Sequence, residues 1–191
     1  MCYGALPKER CAFMFSSDKI LQEIVYLLGL NGGKMNLLKL MKELYLIDRE
    51  AIAERDTSVS GDTFFSMKHG PVLSLTLNML NDLSGSGWSE WLESRPARYY
   101  NDIVAKKETE FFLLSEKDKE YISTVSEQFK RYSPFELEEY THKNLPEWHN
   151  PQNSSKKIRY CDIMRALGRS DAEIREAKEE YEFVCGLNDA L

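Results

Sequence analysis

The sequence lacks any long apolar run. The longest unbroken one, Ile24 to Leu30, falls well short of the ~20 residues a helix needs to cross a bilayer. No membrane span is expected, and the stretch containing Pro7, Lys8, Glu9 and Arg10 lacks the charged start and longer apolar segment of a secretion signal, so a cytoplasmic location is expected. Cysteine is scarce. The four present, Cys2, Cys11, Cys161 and Cys185, are widely spaced, which points to free thiols rather than a disulfide framework. There is no G-x-x-x-x-G-K, G-x-G-x-x-G or G-x-S-x-G, which removes the common phosphate cradles and the nucleophile elbow. His142 and His149 flank Pro146 without a C-x-x-C or H-E-x-x-H, so neither a metal nor any other cofactor is expected.

An excess of positive charge is missing too. Lys and Arg number 25 against 31 Asp and Glu, a net charge of −6, where a nucleic-acid reader usually clusters cations. The local exception is Lys156, Lys157, Arg159, Arg165 and Arg169. On a helix these residues spread around the surface, so DNA binding is not expected. What is present is ordinary globular composition, 42% hydrophobic over 191 residues, enough for one domain spanning 1–191 with a core of useful size.

Along the chain, Ser16 to Asp18 cap a first helix with Leu21, Ile24, Val25 and Leu28 on one face, stopped by Asn31, Gly32 and Gly33. Asn36 caps a second helix running to about Arg55. After a polar turn from Ser58 to Gly61, Thr63 to Met67 reads as a short strand ended by Gly70. Pro71 then suits the first turn of a third, mostly buried helix carrying Val72, Leu75, Met79 and Leu83. Arg98 to Val104 and Glu110 to Leu114 read as a hairpin, lying on the helices or joining the strand near Phe64 and Phe65. Ser115 caps a helix to about Arg131, and Ser133, Pro134 and Glu136 open another that stops before Pro146. A final helical pair carries Tyr160, Ile163, Met164 and Leu167, then Ile174, Ala177, Tyr181 and Val184, and should dock on the rest. The expected fold is helix-dominated α+β, with about seven helices and a small antiparallel hairpin or three-stranded sheet.

Within that frame, helical spacing places Asp48 on the same face as Leu37, Leu40, Met41, Leu44 and Ala51. A carboxylate there needs donors or a cation, and the nearest candidates are Lys68, His69 and the amides around Gly70. The expectation is a structural clamp between the second helix and the turn MKHGP at 67–71. The turn itself is expected to lead straight into a helix whose free N–H groups would suit an anion. His69, with no Ser or Cys motif beside it, reads as a hydrogen-bonded turn residue. Tyr45, Tyr140 and Trp148 have the amphipathic rings of partner anchors or of core residues.

The pieces LLKLMKELYLIDREAI (37–52), SGDTFFSMKHGPV (60–72), LSEKDKEYI (114–122) and SPFELEEYTHKNLPEWH (133–149) together resemble the Panacea domain, the SocA-like antitoxin or phage-associated GepA-like family. The resemblance covers about residues 18–149, with 156–191 as an added C-terminal helical pair. It implies a cytoplasmic antitoxin, encoded beside a toxin, that binds and blocks that toxin, and it implies no enzyme. The founding member acts as an adaptor delivering its toxin to the ClpXP protease, which makes a protease a second partner in that alternative. Carried over by motif, the signature positions are Leu40, Lys42, Leu44, Tyr45 and Asp48, then Lys68, His69, Gly70 and Pro71, then Leu137, Thr141, His142 and Trp148. The chain departs from the family's pattern at Met41, Glu43 and Leu73. A further alternative is an enzyme using Asp48 and His69.

Overall fold

The structure, a computed structural model, describes residues 15–107, 110–177 and 179. Helix α1 (Ser17–Leu30) starts where Ser16 accepts from the Lys19 N–H, and ends before Gly32 and Gly33, both at positive φ. Strand β1 (Lys34–Asn36) leads into α2 (Leu37–Arg55), capped by the Asn36 side chain and closed by Asp56 in the left-handed region. Strands β2 (Phe64–Met67) and β3 (Gly70–Leu73) form a hairpin before α3 (Ser74–Asn81). A single 3-10 turn at Trp88–Glu90 precedes β4 (Leu92–Arg95) and β5 (Asp102–Ala105). Capping boxes open both α4 (Glu116–Phe129), through Ser115 and Asp118, and α5 (Pro134–Asn144), through Ser133 and Glu136. Strand β6 (Lys156–Ile158), α6 (Tyr160–Ala166) and a helical stretch at 171–177 complete the described chain.

The fold is helix-dominated α+β with two antiparallel three-stranded sheets, ordered β1-β5-β4 and β3-β2-β6. Helix α2 is the pillar. It buries twelve residues around most of its circumference, and α4, α5, α6 and β3 all pack against it. Lys39 secures one of these contacts: its ammonium donates to the carbonyls of Phe129, Lys130 and Tyr132, groups left over where α4 ends. On the other side, Ile163 and Met164 of α6 are buried, and the Tyr160 hydroxyl donates to the carbonyl of Asp56 just past the end of α2.

Several expectations are corrected. Pro71 lies in a strand, paired opposite Ser66, so the motif turn is a hairpin tip rather than a helix start. The helix begins later, at Ser74, and its start is capped from outside by Asp62, which accepts from the Leu75 and Thr76 N–H groups at 3.0 and 2.8 Å. It is also less buried than its pattern suggests, with Thr76 and Leu80 inside and Leu75 exposed. Residues 110–114 form no strand. Leu114 alone of the FFLL run is buried, and β5 pairs with β4 and β1 instead, while the strand carrying Phe64 pairs with β3 and β6. Cys161 is a free thiol, and Cys2, Cys11, Cys185, Tyr181 and Val184 lie outside the described residues. Among the described residues no helix is long and apolar enough to cross a membrane, and no group of His, Cys, Asp and Glu gathers as a metal site.

Candidate functional site

The signature positions converge on α2, but not in the way the spacing suggests. Leu40, Leu44 and Leu137 are fully buried core residues. The carboxylate of Asp48 is fully buried, and its partners are in the 58–61 turn: the Val59 and Ser60 N–H groups donate to Oδ1 at 2.8 and 2.9 Å, and the Ser60 hydroxyl donates to Oδ2. Ser60 Oγ also accepts the Asp62 N–H (3.0 Å), which links this turn to the carboxylate that caps α3. Burial nevertheless pushes Asp48 up to about 6, because the Ser60 and Val59 hydrogen bonds offset only part of the lost hydration. Asp48 thus touches neither Lys68 nor His69, both of which are exposed at the hairpin tip. The clamp to the turn and the Asp48–His69 catalytic pair are both corrected.

The tie between α2 and the hairpin is made by Lys42. Its side chain is buried, and Nζ donates to the Pro71 carbonyl at 2.8 Å. Burial pulls its ammonium down to about 7, with the Glu138 charge opposing. Gly70, at φ +98°, lets α2 and α5 close on the hairpin: a Cβ there would sit 2.8 Å from Thr141 Oγ1 and 2.9 Å from Lys42 Cε. The same tip is held twice more, once by α5 and once by the turn that follows it. His69 Nδ1 lies 2.9 Å from Glu138 Oε1, and Trp148, stacked 3.9 Å from the His142 ring, donates Nε1–H to the Met67 carbonyl. Tyr45 joins the 145–149 turn through Glu147, whose Oε1 accepts from the Tyr45 hydroxyl (3.0 Å) and Arg49 Nε (2.7 Å).

These contacts lock α2, the hairpin and α5 into a scaffold, and a surface is mounted on it. Tyr99 and Phe135 are 64% and 47% exposed, with rings in edge contact at 5.1 Å. Beside them the Tyr100 ring meets His69 at 6.0 Å. The loop carrying both tyrosines is pinned to the start of α2: Asn36 Nδ2 donates to the Tyr100 carbonyl, and Leu37 N–H donates to the Asn101 carbonyl, each at 2.9 Å. Exposed rings held on a pinned backbone are the usual anchors of a protein interface, since little entropy is lost on docking. Sequence reasoning missed Tyr99, Tyr100, Phe135, Glu138 and Glu147. It nominated Tyr45, which is buried, with Tyr140 and Trp148, which are half-buried. The exposed rings sit in an irregular loop and at a helix start, where hydrophobic periodicity carries no signal.

The buried charges give the protein an unusual pH profile. Glu43, beside Lys39 at 3.7 Å, is pushed by burial to about 7 from an ordinary 4.5, and Glu23, buried near Asp48, is also raised, by burial first and then by that neighbouring charge. Between about pH 5 and 7 these buried acids keep more protons on the native state than on the unfolded chain, and stability falls as pH rises. Lys42 acts with the opposite sign above that: from about 7 to its ordinary 10.5 the unfolded chain holds its extra proton, so its own contribution to stability rises with pH. Urea midpoints should fall from pH 5 to pH 7, and the advantage of wild type over Lys42→Met should grow from pH 7 to pH 9. A midpoint highest at pH 7 would contradict this arrangement of buried charge.

No curated protein and no solved structure matches the chain. A family model does: antitoxin SocA-like, Panacea domain, over residues 40–149. That match begins within α2 and ends after Trp148, so it takes in the hairpin and α5 and the contacts that join them to α2. The chain belongs to the SocA-like antitoxin family, with a Panacea domain at its centre.

Proposed function

We propose that this protein is the antitoxin of a toxin–antitoxin pair, which binds a cognate toxin protein in the cytoplasm and holds it inactive. The observation that carries this reading, beyond the family, is the pair of exposed rings Tyr99 and Phe135 on a backbone fixed to α2. Such anchors seat in a pocket of the partner and dominate binding, while the surrounding polar groups exclude water. The net charge of −6 adds long-range attraction for a basic toxin. Residues 18–149 form the antitoxin core of a single domain, and 156–191 are an addition to it. The mechanism is occlusion, and it needs no bond to be made or broken by this chain.

The test is co-expression with the product of the adjacent gene. Wild-type protein should suppress its toxicity and co-purify with it. Tyr99→Ala with Phe135→Ala should weaken the complex by roughly 2 kcal/mol or more, about 30-fold, and restore toxicity. Because both rings are already exposed, the melting temperature should stay within a few degrees. Full protection by this double variant would overturn the assignment of the surface. No toxic neighbour, or no complex with one, would overturn the function.

A further inference from the structure

A second surface lies on the far strand of the hairpin sheet. An open groove of about 750 Å³ runs between the 146–149 turn and α6, lined by His149, Lys156, Lys157, Arg159 and Arg165 among others. The sequence suggested that these cations spread around a helix. Instead, Lys156 and Lys157 stand on β6 and share the groove with Arg159 and Arg165, while Arg169 turns away to pair with Asp56 at 3.1 Å.

The local charge does not cancel. Of the two acids at the groove, Glu147 is taken by Arg49 at 2.7 Å and Asp162 by Arg159 at 2.7 Å. Arg165 is shared between Asp162 (3.8 Å) and Asp171 (3.3 Å). Lys156 and Lys157 are exposed and have no ion-pair partner among the described residues. Two unneutralised cations on an acidic chain mark this strand for an anionic partner.

The backbone says which kind. In the sheet β3-β2-β6, β6 is the outer strand: it pairs with β2 through Phe64 to Ser66, and its other edge has no strand beside it among the described residues. An open edge is a template for a further strand, and lysines on it reject apolar or basic strands through unpaired or repelled charge. A strand with adjacent acidic residues places one carboxylate opposite each lysine, since neighbouring side chains point to opposite faces. A nucleic acid gains nothing from the strand edge, and the chain's net charge of −6 opposes a long polyanion.

We infer that the open edge of β6 binds an extended acidic peptide segment of a partner protein, which adds as a fourth strand beside Lys156 and Lys157. This does not depend on the toxin or on the aromatic surface.

The full-length chain would be titrated into fluorescein-labelled Val-Thr-Glu-Glu-Val-Thr-Val at low salt and followed by anisotropy. The result expected is saturable binding that weakens at least 10-fold with Lys156→Glu plus Lys157→Glu, several-fold with the milder Lys156→Gln plus Lys157→Gln, and steeply with added salt. Both positions are exposed, so circular dichroism melts should match wild type. A Lys-Lys version of the peptide, and one methylated on alternate amide nitrogens, should each bind at least 10-fold more weakly. Failure of the acidic peptide to bind, binding indifferent to the lysine changes, or full affinity of the methylated peptide would each overturn the proposal. So would a single-stranded polyadenylate oligonucleotide that binds more tightly than the peptide.

Discussion

Asp48→Ala should destabilise the protein by about 3 kcal/mol at neutral pH, whereas Asp48→Asn should cost about 1 kcal/mol. The alanine variant leaves the Val59 and Ser60 N–H groups and the Ser60 hydroxyl without their acceptor inside the protein, and each buried orphan costs on the order of 1–3 kcal/mol. Part of that loss is returned, because an ionised acid held near 6 by burial is no longer present. The asparagine variant keeps an acceptor for both N–H groups and offers its amide to Ser60 Oγ. The alanine deficit should therefore widen at pH 5, where wild-type Asp48 is mostly protonated and free of the ionisation cost. For a chain of this size, about 3 kcal/mol corresponds to a fall in melting temperature of roughly 10 °C. Native-like melting of Asp48→Ala would mean that the 58–61 turn does not rely on this carboxylate.

The second large effect is expected at Gly70. Alanine there must adopt φ near +98°, and its Cβ must enter a space 2.8 Å from Thr141 Oγ1 and 2.9 Å from Lys42 Cε. The backbone term is roughly 1–2 kcal/mol and the overpacking term roughly 1–3 kcal/mol, so a loss of about 2–5 kcal/mol is predicted. The structural damage is local to the surface proposed to bind the toxin. Pushing the tip away from α5 also moves His69 off Glu138 and away from Tyr100. Toxin protection should fall together with the urea midpoint. In a double-mutant cycle Thr141→Ala should recover only the Thr141 share of the overpacking, because the positive φ and the Lys42 contact remain. An unchanged midpoint for Gly70→Ala would show that α2 and α5 can separate freely at this point.

These two positions also show how far the sequence could be read. Four helix starts were legible because a cap is a local device: Ser16, Asn36, Ser115, and Ser133 with Glu136 each act within three residues. The burial of Asp48 was legible from its helical spacing. Its partners were not, because periodicity fixes which face a residue occupies and says nothing about which loop covers that face. Lys42 was recognised only as a motif position, since a lysine in a helix reads as solvated unless its carbonyl acceptor, here Pro71, is known. The three-residue strands β1 and β6 are too short to show alternation, and pairing with distant strands holds them in place. Without β6 the lysine pair looked like a solvated helical face, and the groove was invisible.

The pairing of Ser66 with Lys156 also sets an order of events during synthesis. A ribosome adding about 5–20 residues per second needs roughly 5–20 s to travel from β2 to β6, and for that interval the nascent β2 has a vacant flank. Newly made copies are thus exposed to chaperones, proteases and each other at the place where the finished sheet is closed. Closure of that flank then depends on uninterrupted translation through β6.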